Sequence, residues 1–221
     1  MKNSQLLYTG DYQKLQKEIR EFLNSQPDFL SAQTAASPRA VGDAIQSILS
    51  ENFRSLLGNR CKDYSADFAR RAMADLAFTD QDDFYYYVDV KTHRLDTKFN
   101  MPNLTSVERI ARFYEDDKNY FVMLMVKYLI KQTKARVQEV HFISIEFLAW
   151  DCLTIGALGW GQIQIADAKV IKINEGYSRR KWMLELCDVM LDFYPKEIGK
   201  IKNRIEYFKQ VKRRWEKKRE S

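Results

Sequence analysis

Apolar residues recur at three- and four-residue spacings in two stretches early in the chain. Leu15, Ile19, Phe22 and Leu23 mark a short amphipathic helix over 11–24. Val41, Ile45, Ile48, Leu49, Phe53, Leu56 and Leu57 mark a second, stopped by Gly58. Between them a polar loop from Ser25 to Arg39 holds Pro27 and Pro38. The pattern then changes. Ala72–Phe78 and Phe84–Lys91 predict two strands, joined by the acidic turn Thr79-Asp80-Gln81-Asp82-Asp83. A polar loop from Thr92 to Pro102 leads into a helix, with Thr105-Ser106-Val107-Glu108 as a capping box near its start. Tyr120–Ile130 is almost continuously apolar, as a strand buried on both faces requires. Val137–Ile145 predicts another strand, and Ile163–Ile173 a further one after the glycine-broken segment 156–161. Two helices close the chain, the last with Ile198, Ile201, Ile205, Phe208 and Trp215 on one stripe. Helix, hairpin, helix, mixed sheet and closing helices together predict an α/β fold around one central sheet. A single domain over 1–221 is expected, subdivided into 1–39 (N-terminal helix and loop), 40–175 (core) and 176–221 (basic helices).

With 221 residues, 45% of them apolar, the chain can bury a substantial core. No stretch reaches the 18 or so uninterrupted apolar residues of a membrane span. The start, MKNSQLLYTGDYQK, lacks a signal-peptide pattern. Cys61, Cys152 and Cys187 are too few and too scattered for a disulfide framework or a zinc cage. These features point to the cytoplasm. The net charge of +6 is unevenly spread: from Lys169 onward 16 Lys and Arg stand against 8 Asp and Glu, leaving the rest at 20 against 22. A basic end on a mildly acidic body suits a polyanionic partner, or simply a solvated helix.

Hydrolysing a phosphodiester requires converging carboxylates for Mg²⁺, which prefers oxygen ligands, and a cation near the developing charge. An acid-x-Lys triplet on a strand puts both side chains on one face, because strand side chains alternate. Four such triplets occur here: Asp89/Lys91, Asp116/Lys118, Asp167/Lys169 and Glu216/Lys218. Asp116 falls in a polar turn and Glu216 in a charged helix. Asp167/Lys169 competes if it lies on a strand, with Asp151 upstream. Asp89/Lys91 ends the strong strand Tyr85-Tyr86-Tyr87-Val88, and Asp75 stands across the hairpin. A plain edge-strand salt bridge is the alternative to a metal site.

Ala74-Asp75-Leu76-Ala77-Phe78 followed by Tyr87-Val88-Asp89-Val90-Lys91-Thr92 resembles the PD-(D/E)xK nuclease signature. More narrowly it resembles the blunt-cutting orthodox type II restriction endonucleases, whose catalytic strand ends in a similar Asp-Val-Lys-Thr. Ala40-Val41-Gly42-Asp43 is similar to the opening of that branch's first core helix, and Asn100-Met101-Pro102-Asn103-Leu104 to its DNA-recognition loop. Gly161-Gln162-Ile163-Gln164-Ile165 and Tyr177-Ser178-Arg179-Arg180-Lys181-Trp182 are similar to its late recognition strand and C-terminal helix. The resemblance spans roughly residues 38–215 in order. Ala74 stands where the signature has proline, and the first helix has no clean match for the acidic residue often found there: Gln46 lies four after Gly42, and Asp43 is the nearest acid.

The resemblance implies that Asp75 and Asp89 bind Mg²⁺ (Mn²⁺ substituting), that Lys91 positions the attacking water, and that the Val90 carbonyl is a third ligand. It also implies a restriction-endonuclease fold and, as product, both strands of a short palindromic DNA site cut to blunt ends at a central pyrimidine–purine step. A homodimer, a prokaryotic host and a companion DNA methyltransferase, not bound as a subunit, follow from the same likeness. Asn103, Gln162 and Gln164 become base readers, since side-chain amides match adenine in the major groove. Asn100 and Met101 become residues pressed against bases, and Thr92, Arg94 and Lys98 phosphate contacts. Asn103 as a helix cap, Met101 as core and the glutamines as a solvent face are alternatives the sequence leaves open. His93 and His141 lack partners of catalytic spacing, and Trp150, Trp160 and Trp182 are expected to pack. Two other functions stay open beside restriction: a repair or structure-specific nuclease of the same superfamily, and a non-catalytic DNA-binding protein. A helical scaffold would leave the carboxylate hairpin unexplained.

Overall fold

The computed structural model describes residues 3–27, 30–64, 75–97 and 101–218. These fall into two compact units, 1–175 and 176–221.

In the first unit α1 (Gln5–Tyr8) and α2 (Asp11–Ser25) open the chain, and α2 buries Tyr12, Leu15, Ile19 and Leu23 along one stripe. After α3 (Ala32–Ala36) comes α4 (Pro38–Leu57). Ser37 caps it by accepting from the Ala40 N–H at 3.3 Å, and Pro38 fits its first turn, where no N–H is needed. Val41, Ile45, Leu49, Phe53 and Leu57 form its buried stripe, and Gly58 ends it at φ 53°. This is the helix that the spacing predicts.

The central sheet has five strands: β1 (Asp63–Tyr64), β2 (Leu76–Thr79), β3 (Tyr85–Arg94), β5 (Asn119–Lys131) and β6 (Lys134–Ser144), in the order β1-β2-β3-β5-β6. Only β3 and β5 run parallel; the other neighbours are antiparallel, so the sheet is mixed. β5, inside the sheet, is buried from Tyr120 through Tyr128, which explains its unbroken apolar run. Helices flank the sheet. The acidic turn between β2 and β3 is ordered by Asp80, whose buried carboxylate accepts from the N–H groups of Asp82 (2.9 Å) and Phe84 (3.0 Å) and from the Tyr86 hydroxyl (2.6 Å). Aromatic rings continue the core: Phe78 stacks on Tyr86 at 4.5 Å, and Tyr86 on Tyr120 at 5.6 Å.

A second, three-stranded sheet was not expected from the sequence: β4 (Asn103–Ser106), β8 (Gln162–Ile165) and β7 (Leu153–Gly156), in the order β4-β8-β7. The strand anticipated over 163–173 stops at Ile165, because Asp167 folds the chain back: its side chain accepts the Lys169 N–H (2.9 Å) and its carbonyl the Val170 N–H (2.9 Å). The helix after β4, α5 (Val107–Phe113), is capped by Ser106, accepting from the Arg109 N–H at 3.2 Å, not by Thr105.

The second unit is one helix, α6 (Arg179–Glu216), where the sequence suggested two. Pro195 lies inside it and removes one backbone hydrogen bond, which the helical runs on either side tolerate. No helix among the described residues is long and apolar enough to cross a membrane. Trp182 is buried as expected, whereas Trp160 is 67% exposed: it sits in the loop between β7 and β8, where Gly159 and Gly161 take positive φ.

Candidate active site

β3 places Asp89 and Lys91 on one face, as its alternation dictates. In register beside them on β5 lie Met123 and Met125, both fully buried. This apolar flank takes Asp89 out of water. Its Oδ1 accepts from Lys91 Nζ at 2.8 Å, and its buried Oδ2 has no hydrogen-bond partner among the described residues. Burial pushes the Asp89 carboxyl up to about 7; the Lys91 ammonium works against this and the Asp75 carboxylate adds to it.

Asp75 stands just before β2. β2 pairs with β3 through Leu76↔Val88, which brings the Asp75 side chain to the end of this ladder. Its Oδ2 accepts the Val90 N–H at 2.7 Å, and its Oδ1 accepts the side-chain amide of Gln46, from α4. Asp75, Val90, Asp89 and Lys91 are thus tied into one group across the hairpin. Among the described residues no set of three or more His, Cys, Asp or Glu could hold a metal. Two converging carboxylates, one with an orphaned buried oxygen, nonetheless suit Mg²⁺, which keeps several waters and substrate phosphate oxygens.

Two residues of this site escaped the sequence reading. Gln46 stood out only as the residue in the place of an acid. Its amide donates to Asp75 and leaves the other oxygen to the backbone. Arg109, on α5, donates to the Tyr87 hydroxyl and helps to hold the Asp89 carboxyl down. Its nearest signal was the helix cap three residues earlier, which orients the first turn of α5. Further along the same face of β3, His93 is buried and neither ring nitrogen has a hydrogen bond among the described residues. Burial pushes its pKa down, and Lys127, in register on β5, adds to this. Lys127 is itself buried and paired with Glu139 of β6 at 3.1 Å.

The competing triplets have other partners. Asp167 caps its own turn, Asp151 pairs with Lys172, and Asp116 accepts the Lys118 N–H at 2.9 Å. Thr92 lies on the face of β3 opposite Asp89, against Gly42 of α4: a Cβ at Gly42 would lie 2.5 Å from the Thr92 hydroxyl. Arg94 holds Asp96 through Nε (2.7 Å) and Nη2 (3.0 Å), and the Ala35 carbonyl through Nη1 (3.1 Å). Asp43 is exposed on α4. Lys98 and Asn100 lie outside the described residues.

The small sheet joins candidates that are far apart in sequence. Asn103 and Gln164 are cross-strand partners, and the Gln164 amide donates to the Asn103 side-chain oxygen. Gln162 pairs with Ser106 on β4 and with Gly156 on β7. Ile163 and Ile165 are fully buried, so Gln162 and Gln164 share the opposite, accessible face. Met101, just before β4, is exposed. Asn103 therefore starts a strand and does not cap a helix.

No known family model matches the chain, and no curated protein matches it in sequence.

Proposed function

We propose that the protein is a Mg²⁺-dependent DNA endonuclease of the PD-(D/E)xK type, acting as a type II restriction enzyme. The observation that carries this reading is Asp89: a buried carboxylate with one oxygen on Lys91, the other unpartnered among the described residues, linked to Asp75 through the Val90 N–H. A structural salt bridge has no use for an oxygen desolvated and left empty, because a buried polar atom without a partner costs about 1–3 kcal/mol. A site that receives a cation does. The mixed five-stranded sheet with flanking helices is compatible with the restriction-endonuclease fold.

In this reading Asp75 and Asp89 hold Mg²⁺ or Mn²⁺, with the Val90 carbonyl as a further ligand. The ion would offset phosphate charge and lower the pKa of a water bound to it. Gln46 and the Val90 N–H fix the Asp75 carboxylate. Lys91 holds Asp89 and presents an ammonium where negative charge develops on the phosphate. Asn103, Gln162 and Gln164 read bases, and the all-amide set favours A·T pairs, since Asn and Gln match adenine N6 and N7. Two copies each read half of a palindromic duplex. Blunt cleavage at a central pyrimidine–purine step, a prokaryotic cytoplasm and a separate methyltransferase that protects host DNA complete the proposal.

The test is cleavage of duplex DNA by the full chain. Mg²⁺ and Mn²⁺ should support it, Ca²⁺ and EDTA should not, and sequenced ends should share one short palindrome. Asp89→Ala and Lys91→Ala should be inactive but folded, and Asp167→Ala active. Cleavage at similar rate in EDTA, or a dead Asp167→Ala beside an active Asp89→Ala, would refute the assignment. Cutting without a palindromic consensus would point to a repair or structure-specific nuclease, and Mg²⁺-independent binding without any nicking to a non-catalytic DNA-binding protein.

A further inference from the structure

The helix α6 carries a row of large apolar side chains that stay open to solvent. Leu184, Leu191, Tyr194, Ile198, Ile201, Ile205, Phe208 and Trp215 are 37–73% exposed. Their spacing alternates strictly between three and four residues when Cys187, also exposed, and Lys212 are included. Leu184, Leu191, Ile198, Ile205 and Lys212 occupy one position of a seven-residue repeat, and Cys187, Tyr194, Ile201, Phe208 and Trp215 the other. A stripe of period 3.5 drifts by about 20° per heptad around a straight 3.6-residue helix. Over more than four heptads it therefore matches a helix coiled around it better than a flat protein face. Knobs at these two positions pack into holes of a facing helix.

Charge along α6 selects the partner and its direction. Over 183–197 four acidic residues stand against one basic, a net −3; over 202–216 six basic stand against two acidic, a net +4. Side by side in parallel, two copies would set the basic halves against each other and stack Lys212 on Lys212. In antiparallel pairing the acidic half of each copy lies along the basic half of the other. A register centred between Ile198 and Ile201 then layers Ile198 on Ile201, Leu191 on Phe208, Tyr194 on Ile205 and Leu184 on Trp215. At the exposed flank it sets Asp188 against Lys209 twice, by symmetry.

We infer that α6 is a dimerisation helix, pairing antiparallel with α6 of a second copy of this chain through the Leu184–Trp215 stripe. The exposed area of the eight large side chains is on the order of 800 Å² per copy, the size of a stable interface. The inference names the contact for the homodimer of the proposed nuclease, but its evidence lies in the helix alone.

The experiment is sedimentation velocity of the full chain at micromolar concentration, with neither DNA nor metal. Wild type should be a dimer, and Ile198→Asp with Ile205→Asp a monomer of unchanged helical circular dichroism. Lys209→Glu should raise the dimer dissociation constant roughly tenfold, because two attractions become two repulsions. Adding Asp188→Lys to it should restore the wild-type value. A parallel pair would give the opposite sign for Lys209→Glu, since Lys209 would then face Arg204, and that tighter dimer would overturn the arrangement. A wild type that is monomeric throughout, its stripe covered within one chain or by another protein, would overturn the inference, as would a dimer untouched by the double aspartate. A dimer that never cuts DNA would remove the nuclease reading and keep this one; a monomer that cuts would do the reverse.

Discussion

Replacing Asp89 by asparagine separates a carboxylate kept for chemistry from one kept for stability. The folded protein holds this carboxyl up to about 7, against an ordinary 3.8, mainly because burial disfavours the charge. A carboxyl raised on folding stabilises the fold while protonated, and that contribution fades as pH climbs from about 4 through 7. The difference of about 3 units corresponds to about 4 kcal/mol of opposition to folding at pH 8. Asparagine carries no charge and escapes this cost. This figure is already net of the attraction of the Lys91 ammonium, which lowers the same carboxyl. The gain at pH 8 is then about 4 kcal/mol, a rise in melting temperature of roughly 8–16 °C for a unit of this size. At pH 4 the gain should vanish. The assay is thermal unfolding followed by circular dichroism in EDTA at both pH values, beside DNA cleavage in Mg²⁺. The expected pair of results is a protein more stable at pH 8 and unable to cut. An Asp89→Asn protein that melts lower than wild type at pH 8 would show that the carboxylate is a structural ion-pair partner, and the reasoning would fail.

Gln46→Ala leaves one oxygen of Asp75 without its donor, and Mg²⁺ affinity should fall roughly 10- to 100-fold, read as a shift in the metal concentration that half-saturates cleavage. Asn103→Ala should cost about 1–3 kcal/mol of discrimination at one symmetric pair of base positions while non-specific affinity holds, measured by binding in Ca²⁺ to the cognate duplex and its single-base variants. Equal weakening on every duplex would reduce Asn103 to a general, sequence-blind role. Gly156→Ala should act at the same readout, because the new Cβ would lie 2.7 Å from the Gln164 side-chain oxygen and must displace it. Truncation after Trp215 should weaken binding evenly across sequences and lower the slope of log affinity against log salt by about one unit for each phosphate that the tail neutralises; a changed sequence preference would contradict a phosphate role for the tail.

The elements that the sequence determined are those whose information is local. The stripe of α4, the continuous apolar run of β5 and the alternation that sets Asp89 beside Lys91 follow from side-chain period alone. The acidic turn before β3 was legible as a turn, though not that Asp80 would order it. Tertiary structure decided what depends on partners distant in the chain. Whether Asp89-x-Lys91 or Asp167-x-Lys169 rests on a strand turned on one side-chain-to-backbone bond at Asp167 that ends β8 early. The empty oxygen of Asp89 is buried on a strand paired with β5, whose Met123 in register lies more than thirty residues away. Gln46 and Arg109 reach the site from helices 29 residues before Asp75 and 20 after Asp89, where no spacing rule applies. Asn103 and Gln164 meet only because β4 and β8 pair across 61 residues, a register that hydrophobic pattern specifies strand by strand but pairing alone makes specific.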